Sequence, residues 1–191
     1  MQKLKPEIRM TILNRAERIF YSHGFKGTTT RQIADSAEIS VSNLYLYFKN
    51  KEMIFNEVVR TFHAEFNGKL KEFMRHTDVQ EIMNERADQI VTMLAAAVFA
   101  NRRLFVILFD KSEGTRFEVC GEKVIALISD HIGKEIGQKM DKVLLRIISS
   151  NLFNGIIEIA KIGKTDNEIA ANIGTLVAYH MNGIKSFLRT T

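Results

Sequence analysis

Residues 40–51 read SVSNLYLYFKNK and concentrate polar groups able to read a nucleic acid. Asn43 offers a donor and an acceptor in one plane, the pair needed to bond an adenine edge; the Ser42 hydroxyl can bond to several bases, and Val41 can meet a thymine methyl. Tyr45 and Tyr47 add hydroxyls, and Lys49 and Lys51 follow at once. Tyrosines that only fill a core need no lysines behind them. A lysine in the first turn of a helix opposes the macrodipole. An external phosphate offsets that conflict, because free N–H groups and the ammonium then converge on one anion. The alternative is a helical corner with its tyrosine tips in water.

Short helices must position these groups. Pro6 is the only proline and strand alternation is absent, so the spacing points to an all-α protein of about nine helices. A first helix over residues 6–22 carries Ile8, Ile12, Ala16, Ile19 and Phe20 on one face, with Gly24 as a left-handed cap. Thr29 as N-cap puts Gln32 at the third helical position, a capping box that opens a second helix of about eight residues. Ser40 is a good N-cap for a third, in which Leu44 and Phe48 form the buried side. A fourth begins near Asn50 and runs to about residue 75 on the stripe Ile54, Val58, Phe62, Phe66, Leu70 and Phe73. Two short helices joined by a tight turn after a longer one form a helix-turn-helix, which holds its second helix toward a DNA groove. Five longer helices are expected at 78–100, 101–111, 116–138, 141–162 and 166–189. The domains are therefore 1–50, the helix-turn-helix head, and 51–191, a helical body, with the fourth helix leaving no flexible linker.

Charge placement agrees. The first 51 residues carry nine of the 27 Lys and Arg and four of the 22 Asp and Glu, so the net +5 lies wholly in this segment and the remaining 140 residues are balanced. A basic end on a neutral body suits a polyanion, although a solvated surface can show the same surplus. The longest unbroken apolar runs, at 93–100 and 104–109, are far short of the roughly 20 residues of a membrane span. No membrane partner is expected, and the single Cys120 fits a reducing cytoplasm.

The stretch GFKGTTTRQIADSAEISVSNLYLYFKNKEMIF closely resembles the DNA-binding segment of the tetracycline-repressor (TetR) family. Gly24, Phe25, Thr28, Thr29, Ile33, Ala34, Ala37, Ser40, Leu44, Tyr45, Tyr47, Phe48, Lys51 and Glu52 match its pattern in type and order. The resemblance covers about residues 6–60. It implies that Thr29, Thr30 and Arg31 touch phosphates, that Ser40, Val41, Ser42, Asn43 and Tyr45 meet the major groove, and that Tyr47 and Lys51 clamp the backbone. Lys49 is added from its charge. Two positions depart, Glu38 and Ser42 standing where the family commonly has glycine. If the turn requires φ > 0 at residue 38, glutamate costs on the order of 1 kcal/mol; the expectation is that the turn adjusts slightly instead.

For the body, the resemblance implies a homodimer built from the last two helices and an effector pocket in the middle ones. Val143, Ile147, Phe153 and Ile157 mark the first dimer helix, and Ile169, Ile173, Leu176, Val177, His180, Ile184 and Phe187 the second. Apolar residues around more than one face suit a helix packed on both sides, and Gly155, Gly174 and Gly183 would allow close approach. Two core helices of a monomer would show the same pattern. The pocket candidates are Phe62, Phe66, Met93, Phe99, Phe105, Phe109, Phe117 and Cys120, apolar enough to favour a lipophilic ligand. A phenylalanine stripe at helical spacing is also what plain core looks like.

The expected function is then a ligand-responsive regulator of transcription, a repressor by the family's usual mode. It would bind a palindromic double-stranded operator with half-sites roughly 34–36 Å apart, and a small effector would release it. An enzyme is not expected. No histidine has an acidic residue three positions before it, as a di-metal carboxylate bundle needs, and there is no G-x-x-x-x-G-K-[ST] phosphate loop. His131 and Glu135 suit a solvated face, and no cofactor or metal is called for. A protein-binding adaptor would leave Tyr47, Lys49 and Lys51 without an evident partner.

Overall fold

A computed structural model of the chain describes residues 4–76, 87–136 and 140–189. Within them every regular element is an α-helix: α1 (Pro6–Gly27), α2 (Thr30–Ser36), α3 (Val41–Tyr47), α4 (Lys51–His76), α5 (Ala87–Ala100), α6 (Arg102–Asp110), α7 (Cys120–Ile136), α8 (Lys142–Ile162) and α9 (Asp166–Arg189). The expected start of the fifth helix, 78–86, lies outside the described residues. The chain forms two compact units. The first comprises the described part of Met1–Glu65 with Arg103–Glu118, and the second Phe66–Arg102 with the described part of Val119–Thr191. The first unit thus extends beyond the expected head of residues 1–50. It takes in the first part of α4 and a distant segment around α6.

In the first unit, Ile12, Ala16 and Phe20 recur every four residues along α1 and are fully buried, as are Ile33 and Ala34 of α2, Leu44 of α3, and Ile54 and Phe55 of α4. Phe55 sits at the centre of an aromatic cluster, with ring centroids 5.0 Å from Phe20, 5.3 Å from Phe25 and 6.2 Å from Phe117. Short helices such as α2 and α3 are marginal alone and persist by docking on this core. Gly24 interrupts α1 at φ 69°, ψ 171°: the φ is positive, but the ψ is extended, so Gly24 makes a kink rather than the expected left-handed cap, and one further turn follows to Gly27. The freed Phe25 N–H donates to Lys111 O at 2.9 Å, so the residue just after α6 helps hold the exit of α1.

The turn between α2 and α3 does not adjust around its glutamate. Glu38 adopts φ 57°, the left-handed conformation that glycine takes without penalty. Arg9 pairs through both guanidinium nitrogens with the Glu57 carboxylate, tying α1 to α4, and its guanidinium stacks 4.9 Å from the Phe48 ring. The pairing raises the Arg9 pKa, and the hydrogen bond from Arg9 holds Glu57 below the usual carboxylate range.

In the second unit α9 packs against α5 and α8, and α8 against α7. Asp141 caps α8, accepting from Val143 N at 2.8 Å and Leu144 N at 3.4 Å. Arg102 closes the other end of α8 by donating to the carbonyls of Ala160 and Lys161. Gly155 permits close approach within the chain: a Cβ there would stand 2.7 Å from Leu176 Cδ2 on α9. α8 is long and apolar enough, by length and composition, to cross a membrane, with a mean hydropathy of 1.4. Leu145, Phe153, Ile156, Ile157 and Ala160 are nevertheless buried in the unit.

Candidate nucleic-acid interface

Helix α2 begins with the capping box expected of it. Thr29 Oγ1 accepts from Gln32 N at 3.2 Å, and Gln32 Oε1 accepts from Thr29 N at 2.7 Å. Ser40 Oγ caps α3 by accepting from Asn43 N at 3.1 Å. Thr30, at the head of α2, brings its hydroxyl 3.4 Å from the Tyr45 hydroxyl, so the two short helices are joined at their outer edge. Arg31 and Lys49 are exposed and take part in no ion pair among the described residues.

Exposure around α3 follows the helical wheel. With about 100° per residue, Val41 and Tyr47 lie about 60° from the buried Leu44, and both are half-buried. Asn43 and Tyr45 lie about 100° away on either side; Asn43 is half-buried and Tyr45 exposed. Ser42 and Leu46 lie about 160° away, four residues apart on the same outward ridge, and both are exposed. Leu46, 56% exposed, is the residue that the sequence reading missed. Its signal was there, four positions after Ser42 and two after the core leucine.

Two expected backbone clamps have partners within the chain. Lys51 Nζ donates to Phe25 O and Thr28 O, each at 2.6 Å, and lies 4.2 Å from the Phe25 ring centroid. The expected phosphate ligand therefore closes the end of α1 from inside, and burial lowers its pKa from the ordinary lysine value. The expectation had a free ammonium in the first turn of α4; the carbonyls that end α1 claim it instead. The Tyr47 hydroxyl accepts from Lys5 N at 3.1 Å. A hydroxyl has one proton and two lone pairs, so Tyr47 keeps a proton that it can still donate.

The body residues need more revision. Of the eleven residues expected to mark the dimer helices, Phe153, Ile157, Ile169, Ile173, Val177, His180 and Ile184 are buried within the chain, and Leu176 and Phe187 are half-buried. Val143 and Ile147 are exposed, with Leu144 beside them at the start of α8. His180 Nδ1 lies 2.9 Å from Leu176 O, a contact along its own helix. The pocket candidates divide between the units: Phe62, Phe105, Phe109 and Phe117 belong to the first, Phe66, Phe99 and Cys120 to the second. Phe117 is core, against Phe55 and His63, and Phe105 packs edge-on to Phe62 and Phe109. Phe99 is exposed, and the Met93 side chain lies outside the described residues. A cleft of about 570 Å³ in the second unit is lined by Leu127, Ser129, Asp130, His131, Gly133, Lys134, Met140, Lys142 and Leu145, none of them a candidate. Burial raises the Cys120 thiol pKa, as suits a small core residue rather than a nucleophile.

A capped two-turn helix with an exposed outer face, presented by a second capped helix and flanked by exposed cations, has the form of a helix-turn-helix regulator of transcription. The comparisons agree. A family profile described as bacterial regulatory proteins, tetR family, matches residues 12–58. The uncharacterized HTH-type transcriptional regulator YhgD of Bacillus subtilis (strain 168) is 30% identical over 146 residues, covering 76% of this chain and 67% of that protein. The HTH-type transcriptional repressor KstR2 of Mycolicibacterium smegmatis is 39% identical over 66 residues, 35% of this chain and 32% of that one. Among solved structures, the ketosteroid transcriptional regulator KstR2 of Mycobacterium tuberculosis superposes with a TM-score of 0.67 at 18% identity, over 95% of this chain and 96% of its own. This chain belongs to the TetR family of transcriptional regulators.

Proposed function

We propose that this regulator is a ligand-responsive repressor that binds a palindromic duplex operator as a homodimer and is released by a small lipophilic effector. The observation that carries the reading is the outward face of α3, capped by Ser40 and bearing Ser42, Asn43 and Tyr45, with Arg31 and Lys49 exposed nearby. Arg31 and Lys49 supply cations at the phosphates, Asn43 and Ser42 meet base edges, and the Tyr47 proton completes a backbone contact. The exposed Val143, Leu144 and Ile147 support association through α8. An effector that favours one shape of the second unit shifts the population away from the operator-matched spacing, and a tenfold loss of affinity needs only about 1.4 kcal/mol of differential binding.

The test is a salt series on duplex binding. Two free cations on each of two heads neutralise about four phosphates, which predicts a log–log slope of about −4. Absence of sequence-preferring duplex binding at low salt, or a slope near zero, overturns the reading. A screen of small hydrophobic compounds for operator release then tests the effector: none releasing the protein, with none raising its melting temperature, argues against ligand control.

A further inference from the structure

The outward ridge of α3 holds one residue that hydrogen bonding does not explain. Leu46 is 56% exposed, opposite the fully buried Leu44 and on the same ridge as Ser42. It neither fills the core nor offers a polar group. We propose that Leu46 is a specificity-determining residue that reads a thymine, its δ-methyls packing on the 5-methyl group in the major groove.

This rests on the proposed reading that α3 faces that groove. Base chemistry then narrows the choice, because the thymine methyl is the apolar feature of the major-groove edge. Position supplies the rest. α3 is two turns long, so its second turn stays within reach of the bases. Four residues of helix advance about 6 Å, against about 3.4 Å between successive nucleotides of a strand. Leu46 therefore meets a base one or two steps from the one under Ser42. Asn43 and Tyr45, on the flanks, lie beside a different line of contact. A leucine on the ridge excludes water from the methyl without satisfying any competing polar edge, so it favours thymine over cytosine at that step.

The experiment begins with the full-length dimer and a duplex selected from a randomised pool. Each thymine is then replaced in turn by deoxyuridine, which removes only the 5-methyl group, symmetrically in both half-sites. Wild-type protein is expected to lose about tenfold affinity at one symmetric pair of positions, from two methyl-sized contacts. Leu46→Ala abolishes the difference between thymine and uracil there and leaves the other positions unchanged. Leu46→Met keeps the preference, because an apolar side chain remains. Thermal melting of both variants matches wild type, since the side chain is exposed. If wild type selects a sequence but no thymine shows methyl dependence that Leu46→Ala removes, the assignment of Leu46 is overturned while the repressor reading stands. If the pool yields no preferred sequence at all, the groove-facing reading itself fails, and the Leu46 assignment with it.

Discussion

Replacing Lys51 with methionine separates two roles that a lysine at this position can play. Its ammonium donates to Phe25 O and Thr28 O at 2.6 Å and lies 4.2 Å from the Phe25 ring. Methionine keeps most of the stem and deletes the charge. Hydrogen bonds from a charged donor contribute about 1.5–3 kcal/mol each when buried. Lys51 is only half-buried, so about 1 kcal/mol apiece is the appropriate scale once solvent screening is allowed for. The total of about 2 kcal/mol lowers the melting temperature of a chain this size by roughly 4–8 °C. DNA binding, measured well below that transition, keeps its salt slope of about −4, because no phosphate contact is lost. Lys49→Ala should behave in the opposite way, leaving the melting temperature alone and flattening the slope by about 2 units, one contact per head. A Lys51→Met protein that melts with wild type and binds with a slope flattened by about 2 would refute the inward assignment and restore Lys51 to the phosphates.

Glu38→Gly should raise stability by about 1 kcal/mol, because glycine meets no Cβ penalty at φ 57°; an unchanged or lower urea midpoint would show that the turn is unstrained. Glu57 is held below the usual carboxylate range by Arg9, so its contribution is present above the unfolded value of about 4.3 and is lost as pH falls through the lower folded value. Glu57→Gln should therefore cost up to about 1 kcal/mol at neutral pH and progressively less below about pH 4, and a penalty that persists in acid would exclude the ion pair as its source. If the proposed homodimer forms through α8, Ile147→Asp, on its exposed start, should shift sedimentation from dimer to monomer and lower operator affinity at least tenfold. Retention of the dimer would move the interface away from Val143, Leu144 and Ile147.

The head was legible because its signals are local. Thr29 with Gln32 and Ser40 ahead of Asn43 form caps whose partners lie three residues away, and sequence spacing states such partners directly. At Gly24 only the sign of φ was readable; the helix resumes to Gly27 instead of ending there. Lys51 was not, because its acceptors are carbonyls 26 and 23 residues earlier, and a first-turn lysine can turn toward either solvent or fold. Nor could spacing choose between the apolar faces of α8 and α9. The regular stripe Ile173, Val177, His180 and Ile184 is what any packed helix needs, and the chain's own core takes it. On α8, Val143 and Ile147 lie off the buried side and stay exposed. Phe117, expected at the start of a helix, lies instead in the turn before α7, and its ring packs on the core around Phe55. Glu38 differs, since a glycine-compatible turn was expected to relax around it and the backbone kept its conformation.

The contribution of residues 103–118 to the first unit bears on how such proteins can be recombined. Phe25 N bonds to Lys111 O, Lys26 pairs with Glu113, Arg103 with Glu17, and the Phe117 ring packs on Phe55. The reading head is therefore assembled from two stretches of chain separated by 37 residues, from 66 to 102. A graft that exchanges only the first 50 residues for those of a relative inherits mismatched partners at three of these contacts, all but Phe55 with Phe117. Exchanging residues 1–65 and 103–118 together keeps them paired. Specificity in this lineage would then travel as a split cassette, and a drift in residues 103–118 that looks unrelated to DNA would be matched by changes along α1 and at its exit.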